Sequence, residues 1–153
     1  MEADDSVGFE NWQLSDKEVQ DTYQLGMTNI VVSKWLEKIV QQFAPQPILI
    51  SNAINNNIFN IEIPLGQRKC RSLIFHWRKE SYKGGDYALE LIEKLHRKYL
   101  DFKFTAISSQ AKPSGFPDYI EFVHGVSPEE VARRNNQHAI FVCTSVAEGL
   151  SLI

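Results

Sequence analysis

Apolar residues in this chain come in short bursts whose period changes from two to about 3.6 and back again. "NIVVS" at residues 29–33 and "PILIS" at 47–51 are brief runs rich in branched side chains, the pattern of short buried strands. Between them Ser33 stands where a helix cap belongs. In "KWLEKIVQQF" the residues Trp35, Ile39 and Phe43 recur at helical spacing, which predicts a helix with that face inward. Upstream, "SDKE" predicts a first short helix, because Ser15 can accept from the backbone of Glu18 while Glu18 reaches back to it. After the second run, "NAINNNIFN" reads as a loop, since asparagine tolerates left-handed backbone and bonds its own main chain. "PLGQRKC" then reads as a polar connection.

Further along, "SLIFHW" predicts a strand. Past Gly84 and Gly85, the residues Ala88, Leu91, Ile92, Leu95 and Tyr99 line one helical face, and Glu90, Lys94 and Arg97 line the other. The strand "FKFTAIS", the turn-rich "SQAKPSGFPD" and the strand "YIEFVHG" follow. "SPEEVARR" starts a helix with Ser127 as N-cap and Pro128 at the first helical position, and "AIFVCTS" closes the series as a strand. Strands alternating with helices at these spacings predict an α/β fold with a doubly wound, mainly parallel sheet joined by right-handed crossovers. The helix that should cover the last strand does not follow, so the fold is expected to be incomplete at the C-terminus. Apolar surface around "FVCTSVAEGLSLI" would then favour self-association.

Composition narrows the function classes. With 153 residues and 43% hydrophobic content the chain suits one packed core. The 16 Lys and Arg against 19 Asp and Glu give a net charge of -3 with no long basic block, which argues against a nucleic-acid partner. The start has no signal-peptide pattern and no apolar run reaches the length of a transmembrane span, so a cytoplasmic protein is expected. Cys70 and Cys143 form neither a CxxC pair nor a disulfide framework, and, with Cys143 inside "AIFVC", both read as buried free thiols. His76, His96, His124 and His138 lack ligand spacing, so no metal is expected. There is no GxxxxGK[ST], no GxGxxG, and no GxSxG around Ser145, which weakens the NTPase, dinucleotide and serine-hydrolase readings.

The chemistry gathers at "FHWRKESYKGGDYALELIEKL". Open parallel sheets bind ligands outside the carboxyl ends of their strands. There Arg78 offers bidentate donors, Lys83 a flexible charge, and Gly84 and Gly85 a main chain that an anion can approach, with a helix start behind them. A diphosphate suits that set. The bland alternative is that exposed cations beside a glycine turn are simply solvated. With no DxD pair to hold a divalent ion, protein cations and backbone dipoles would carry the charge, without a cofactor.

These motifs, with "SNAINNNIF" before them and "YIEFVHGVSPEEVARRNNQHAIFVCTSVAEGLSLI" after, resemble consecutive motifs of the donor-binding half of family 4 glycosyltransferases of the GT-B fold. The resemblance covers residues 9 to 153, and "TYQLGMTNIVVSKWLEKIV" is similar to the segment entering the donor domain in bacterial polysaccharide-type members. It implies residues 1–27 as a tail and connection from an acceptor domain and 28–153 as a partial nucleotide-sugar-binding domain. It implies catalytic roles for Arg78 and Lys83, which would stabilise the departing diphosphate, and for Glu148, which matches the first acid of the family's paired glutamates. Donor-binding roles are implied for Ser51, Asn52, Gly84, Gly85, Ser145, Gly149, Leu150 and Ser151.

The implied reaction is retaining transfer of a glycosyl unit from a nucleotide diphosphate sugar to a glycan or lipid-linked acceptor, in the cytoplasm or peripheral to the inner membrane. The second glutamate and the acceptor domain have no counterpart in the sequence, so weak or no activity is expected of this chain alone. Without the resemblance, Glu148 reads as a carboxylate complementing a helix dipole. The alternative in another class is a non-catalytic nucleotide-binding or subunit-docking module derived from such an enzyme. A receiver-type regulatory domain is disfavoured, because no acidic cluster stands at the predicted strand ends.

Overall fold

The computed structural model of the chain describes residues 15–146. These residues form two compact units, 15–53 and 54–146. In the first, α1 (Asp16–Thr22) opens on a complete capping box. Ser15 N–H donates to Glu18 Oε2 at 2.7 Å, and Glu18 N–H returns a bond to Ser15 Oγ at 3.3 Å. Strands β1 (Ile30–Val31) and β2 (Ile48–Leu49) pair in parallel, with Ile30 beside Ile48. Between them α2 (Lys34–Val40) starts on Ser33, whose Oγ accepts from Leu36 N–H.

The face that α2 buries differs by one residue from the sequence expectation. Leu36 and Val40 pack with Val31, Ala44, Leu49 and Tyr23, while Trp35 and Ile39 are exposed. Both stripes are apolar at a spacing of four, so periodicity does not choose between them. The placement of the two short strands against the helix does. Phe43 is half-buried and stacks on Tyr23.

The second unit is built on β3 (Lys69–His76), α3 (Gly85–Lys98), β4 (Lys103–Ser108), β5 (Ile120–His124), α4 (Pro128–Gln137) and β6 (His138–Val142). Its four strands are all parallel, in the order β5-β4-β3-β6. The chain steps outward from β3 through β4 to β5, then returns to lay β6 on the other side of β3. That reversal defines a switch point between β3 and β6. Period two along β3 divides the core. Leu73, Phe75 and Trp77 pack with Ala88 and Ile92 of α3, whereas Ile74 joins Ile107, Val123 and the α4 side chain Val131. Apolar layers on both faces make this the α/β, doubly wound parallel arrangement.

Three local expectations are corrected. "PLGQRKC" is not wholly a connection: a 3-10 turn at Leu65–Gln67 leads into β3, which already includes Lys69, Cys70 and Arg71. Their polar side chains are exposed there, and the pairing with β6 shifts register between Lys69 and Leu73, with Arg71 at φ 56°. On α3, Leu91 is exposed because it lies on the flank of the stripe formed by Gly85, Ala88 and Ile92. Tyr99 leaves the helical phase altogether as an extended C-cap. Cys70 and Cys143 are free but exposed, one on the solvated start of β3 and the other just past the end of β6. Among the described residues no helix is long and apolar enough to cross a membrane.

Candidate functional site

The segment leaving β3 runs along the carboxyl edge of the sheet at the switch point. Trp77 N–H still bonds the Ile107 carbonyl at 2.9 Å, and Arg78 is the first exposed residue beyond it. Among the described residues Arg78 carries no hydrogen bond or ion pair. A 3-10 turn at Ser81–Lys83 follows, with Lys83 N–H on the Glu80 carbonyl at 2.9 Å and Gly84 N–H on that of Ser81 at 3.0 Å. Gly84 then adopts φ 66° and ψ 30°, the left-handed region where a side chain is strained, and α3 begins at Gly85.

Both glycines are also required by contact. A Cβ on Gly84 would overlap the Thr144 carbonyl oxygen. One on Gly85 would lie 2.6 Å from the Arg78 carbonyl oxygen and 3.0 Å from Trp77 Nε1. The segment after β6 is laced to this loop, with Val146 N–H donating to the Tyr82 carbonyl at 2.8 Å and Thr144 Oγ1 to the Lys83 carbonyl at 3.4 Å. Among the described residues no side chain caps the N-terminus of α3, so its first amides and the positive end of its dipole face this loop, offset in part by Asp86 in the first turn.

Buried polar atoms without partners concentrate on the same stretch. His76 Nε2, Trp77 Nε1 and Glu80 Oε2 all lack a hydrogen-bond partner among the described residues. Burial, and secondarily the positive charge of Arg78, hold the His76 imidazole below its ordinary pKa of 6.5, so it is neutral at pH 7. A cleft of about 200 Å³ opens at the carboxyl ends of β3, β4 and β5, lined by His76, Arg78, Ser108, Ser109, Gly125 and Val131. Among the described residues no group of three His, Cys, Asp or Glu is placed to hold a metal ion.

Of the residues singled out from sequence, Arg78, Lys83, Gly84 and Gly85 share one loop, and Ser145 lies between two residues bonded to it. Lys83 is half-buried, its Nζ 5.2 Å from the centre of the Tyr82 ring. Ser51 and Asn52 follow β2 in the first unit, where both are exposed. Glu148, Gly149, Leu150 and Ser151 lie outside the described residues. Sequence reasoning missed Trp77, Thr144 and Gln110, whose side chain bonds Lys79 N–H and the Glu80 carboxylate. An indole N–H at a strand end, which needs an acceptor once buried, was the one available signal. No model of a protein family matches the chain, and no curated protein matches it.

Proposed function

We propose that the chain is the donor-binding part of a glycosyltransferase, taking the diphosphate of a nucleotide sugar at the β3–β6 switch point. The observation that carries this reading is Arg78. It is exposed and without a described ion pair, and the left-handed glycine of its loop brings the start of α3 against the Arg78 main-chain carbonyl. A diphosphate there accepts bidentate bonds from Arg78, charge from Lys83 and N–H groups from the helix start. As the glycosyl bond breaks, negative charge grows on the departing diphosphate, and those groups stabilise it more than they stabilise the bound donor. The adjoining cleft, at about 200 Å³, is smaller than sites that enclose a whole drug-sized ligand, and so suits one part of the nucleotide. Retention, and a sugar or lipid-linked hydroxyl as acceptor, come with the family resemblance.

The test is a two-dimensional amide spectrum titrated with UDP and with GDP. In the wild type, peaks of residues 78–85 and 144–146 shift. In Arg78→Ala binding weakens about tenfold or more, the size expected for losing charge-assisted bonds. A dispersed wild-type spectrum that neither nucleotide moves would overturn the reading. Binding with no sugar transfer from any nucleotide sugar tested, even with an acceptor domain supplied, would favour a non-catalytic nucleotide module.

A further inference from the structure

The β3 loop has a second anchor that none of its own residues provides. In the parallel ladder Trp77 N–H bonds the Ile107 carbonyl, and the next inward N–H of β3 is that of Lys79. By then β4 has turned away. The Ser109 carbonyl just past β4, which a continued ladder would offer to Lys79, lies 3.3 Å from His124 Nε2 instead. The Gln110 side chain takes the vacant place in the ladder. Its Oε1 accepts from Lys79 N–H at 2.9 Å, and its Nε2 donates to Glu80 Oε1 at 3.0 Å. Gln110 is itself fixed by its own N–H, which donates to Oγ of the buried Ser108 at 2.9 Å.

We propose that Gln110 is a positioning residue that sets the path of the Arg78–Lys83 loop by clamping Lys79 and Glu80 to the end of β4. Both bonds demand one orientation of one amide. The backbone N–H needs an acceptor and the carboxylate needs a donor, a pairing that neither a carboxylate nor an apolar side chain at 110 supplies. The clamp falls one residue after Arg78. It also orients Glu80, whose carbonyl accepts the first bond of the 3-10 turn leading to Lys83 and Gly84. Its consequence for ligand binding rests on the diphosphate reading above; its consequence for the loop does not.

The experiment compares the wild type with Gln110→Ala, with Gln110→Glu, and with the double variant Gln110→Glu/Glu80→Gln, which exchanges the two groups and keeps the net charge. Amide hydrogen exchange at Lys79 and Lys83 is read first, then affinity for inorganic pyrophosphate. Gln110→Ala, which loses both bonds, and Gln110→Glu, which loses the donor to Glu80 and sets two carboxylates together, each speed exchange about fivefold or more and weaken pyrophosphate by a similar factor. The double variant restores both. Unchanged exchange in Gln110→Ala, or a double variant no better than Gln110→Glu, overturns the proposal. Exchange that follows Gln110 while wild type binds no pyrophosphate supports the clamp and overturns the diphosphate site instead.

Discussion

At the amino end of the four-stranded sheet, Asn136 accepts from Glu62 N–H and Arg68 and donates to the Asn60 and Ala132 carbonyls. Arg68 Nε also donates to the Ile63 carbonyl. His138 Nδ1 donates to the Arg134 carbonyl at 2.8 Å while its Nε2 lies 2.9 Å from Thr105 Oγ1, and Arg134 is paired with both Glu121 and Glu130. At the carboxyl end the pattern reverses: within residues 76–80 three buried polar atoms have no partner among the described residues, and Arg78 has no described ion pair. Among the described residues Asn135 Oδ1 and His96 Nδ1 are unpartnered toward the amino end, but singly and on separate helices. A saturated network holds a fold together, whereas unmet bonding capacity gathered on one loop at a switch point is capacity left for something that binds.

The largest effect is expected where the open loop is most tightly specified. Gly84→Ala forces a left-handed backbone onto alanine and drives its methyl into the Thr144 carbonyl. Strain and overpacking together should cost roughly 3 to 5 kcal/mol in urea unfolding. A loss below about 1 kcal/mol would mean that the loop is not held against the segment after β6. Its unmet polar atoms would then reflect slack, not a preformed site.

The next effect separates the two ends. Asn136→Ala leaves several buried partners unmet at once and should cost about 2 to 4 kcal/mol. Arg78→Ala, which removes no described bond, should stay within about 0.5 kcal/mol while abolishing most diphosphate affinity. Equal stability losses would erase the distinction between structural and poised polar groups.

What sequence made legible was local. Ser15 with Glu18, Ser33, and Ser127 with Pro128 act within one turn of themselves, and all three cap as expected. The alternation of strand and helix gave the parallel α/β class, because crossover chemistry leaves few alternatives. Gly84 and Gly85 were legible as a turn. What they avoid, the carbonyls of Thr144 and Arg78, was not, since Thr144 lies sixty residues away. For the same reason α2's buried face, the early start of β3 and the role of Gln110 were hidden: each depends on which strand ends beside which.

The smallest effect is a shift in the titration of one imidazole, and it tests the comparison most directly. Burial lowers the pKa of both His76 and His138 from 6.5, so in each case the unfolded chain takes up a proton first as pH falls. Their contribution to stability is therefore intact above pH 6.5 and is lost as pH falls from there through the folded-state value. The two residues differ in the next cause. For His138 it is the bond to the Arg134 carbonyl, which opposes burial, whereas for His76 it is the charge of Arg78, which adds to it. Removing that charge in Arg78→Ala should raise the His76 pKa, though not to 6.5, because the larger cause remains, and should leave His138 unmoved. Pyrophosphate bound to the wild type offsets the same charge and should move His76 in the same direction. Imidazole resonances followed through pH with and without pyrophosphate read both residues at once. A His76 that ignores the anion while the Arg78 variant moves it would place any bound phosphate away from Arg78.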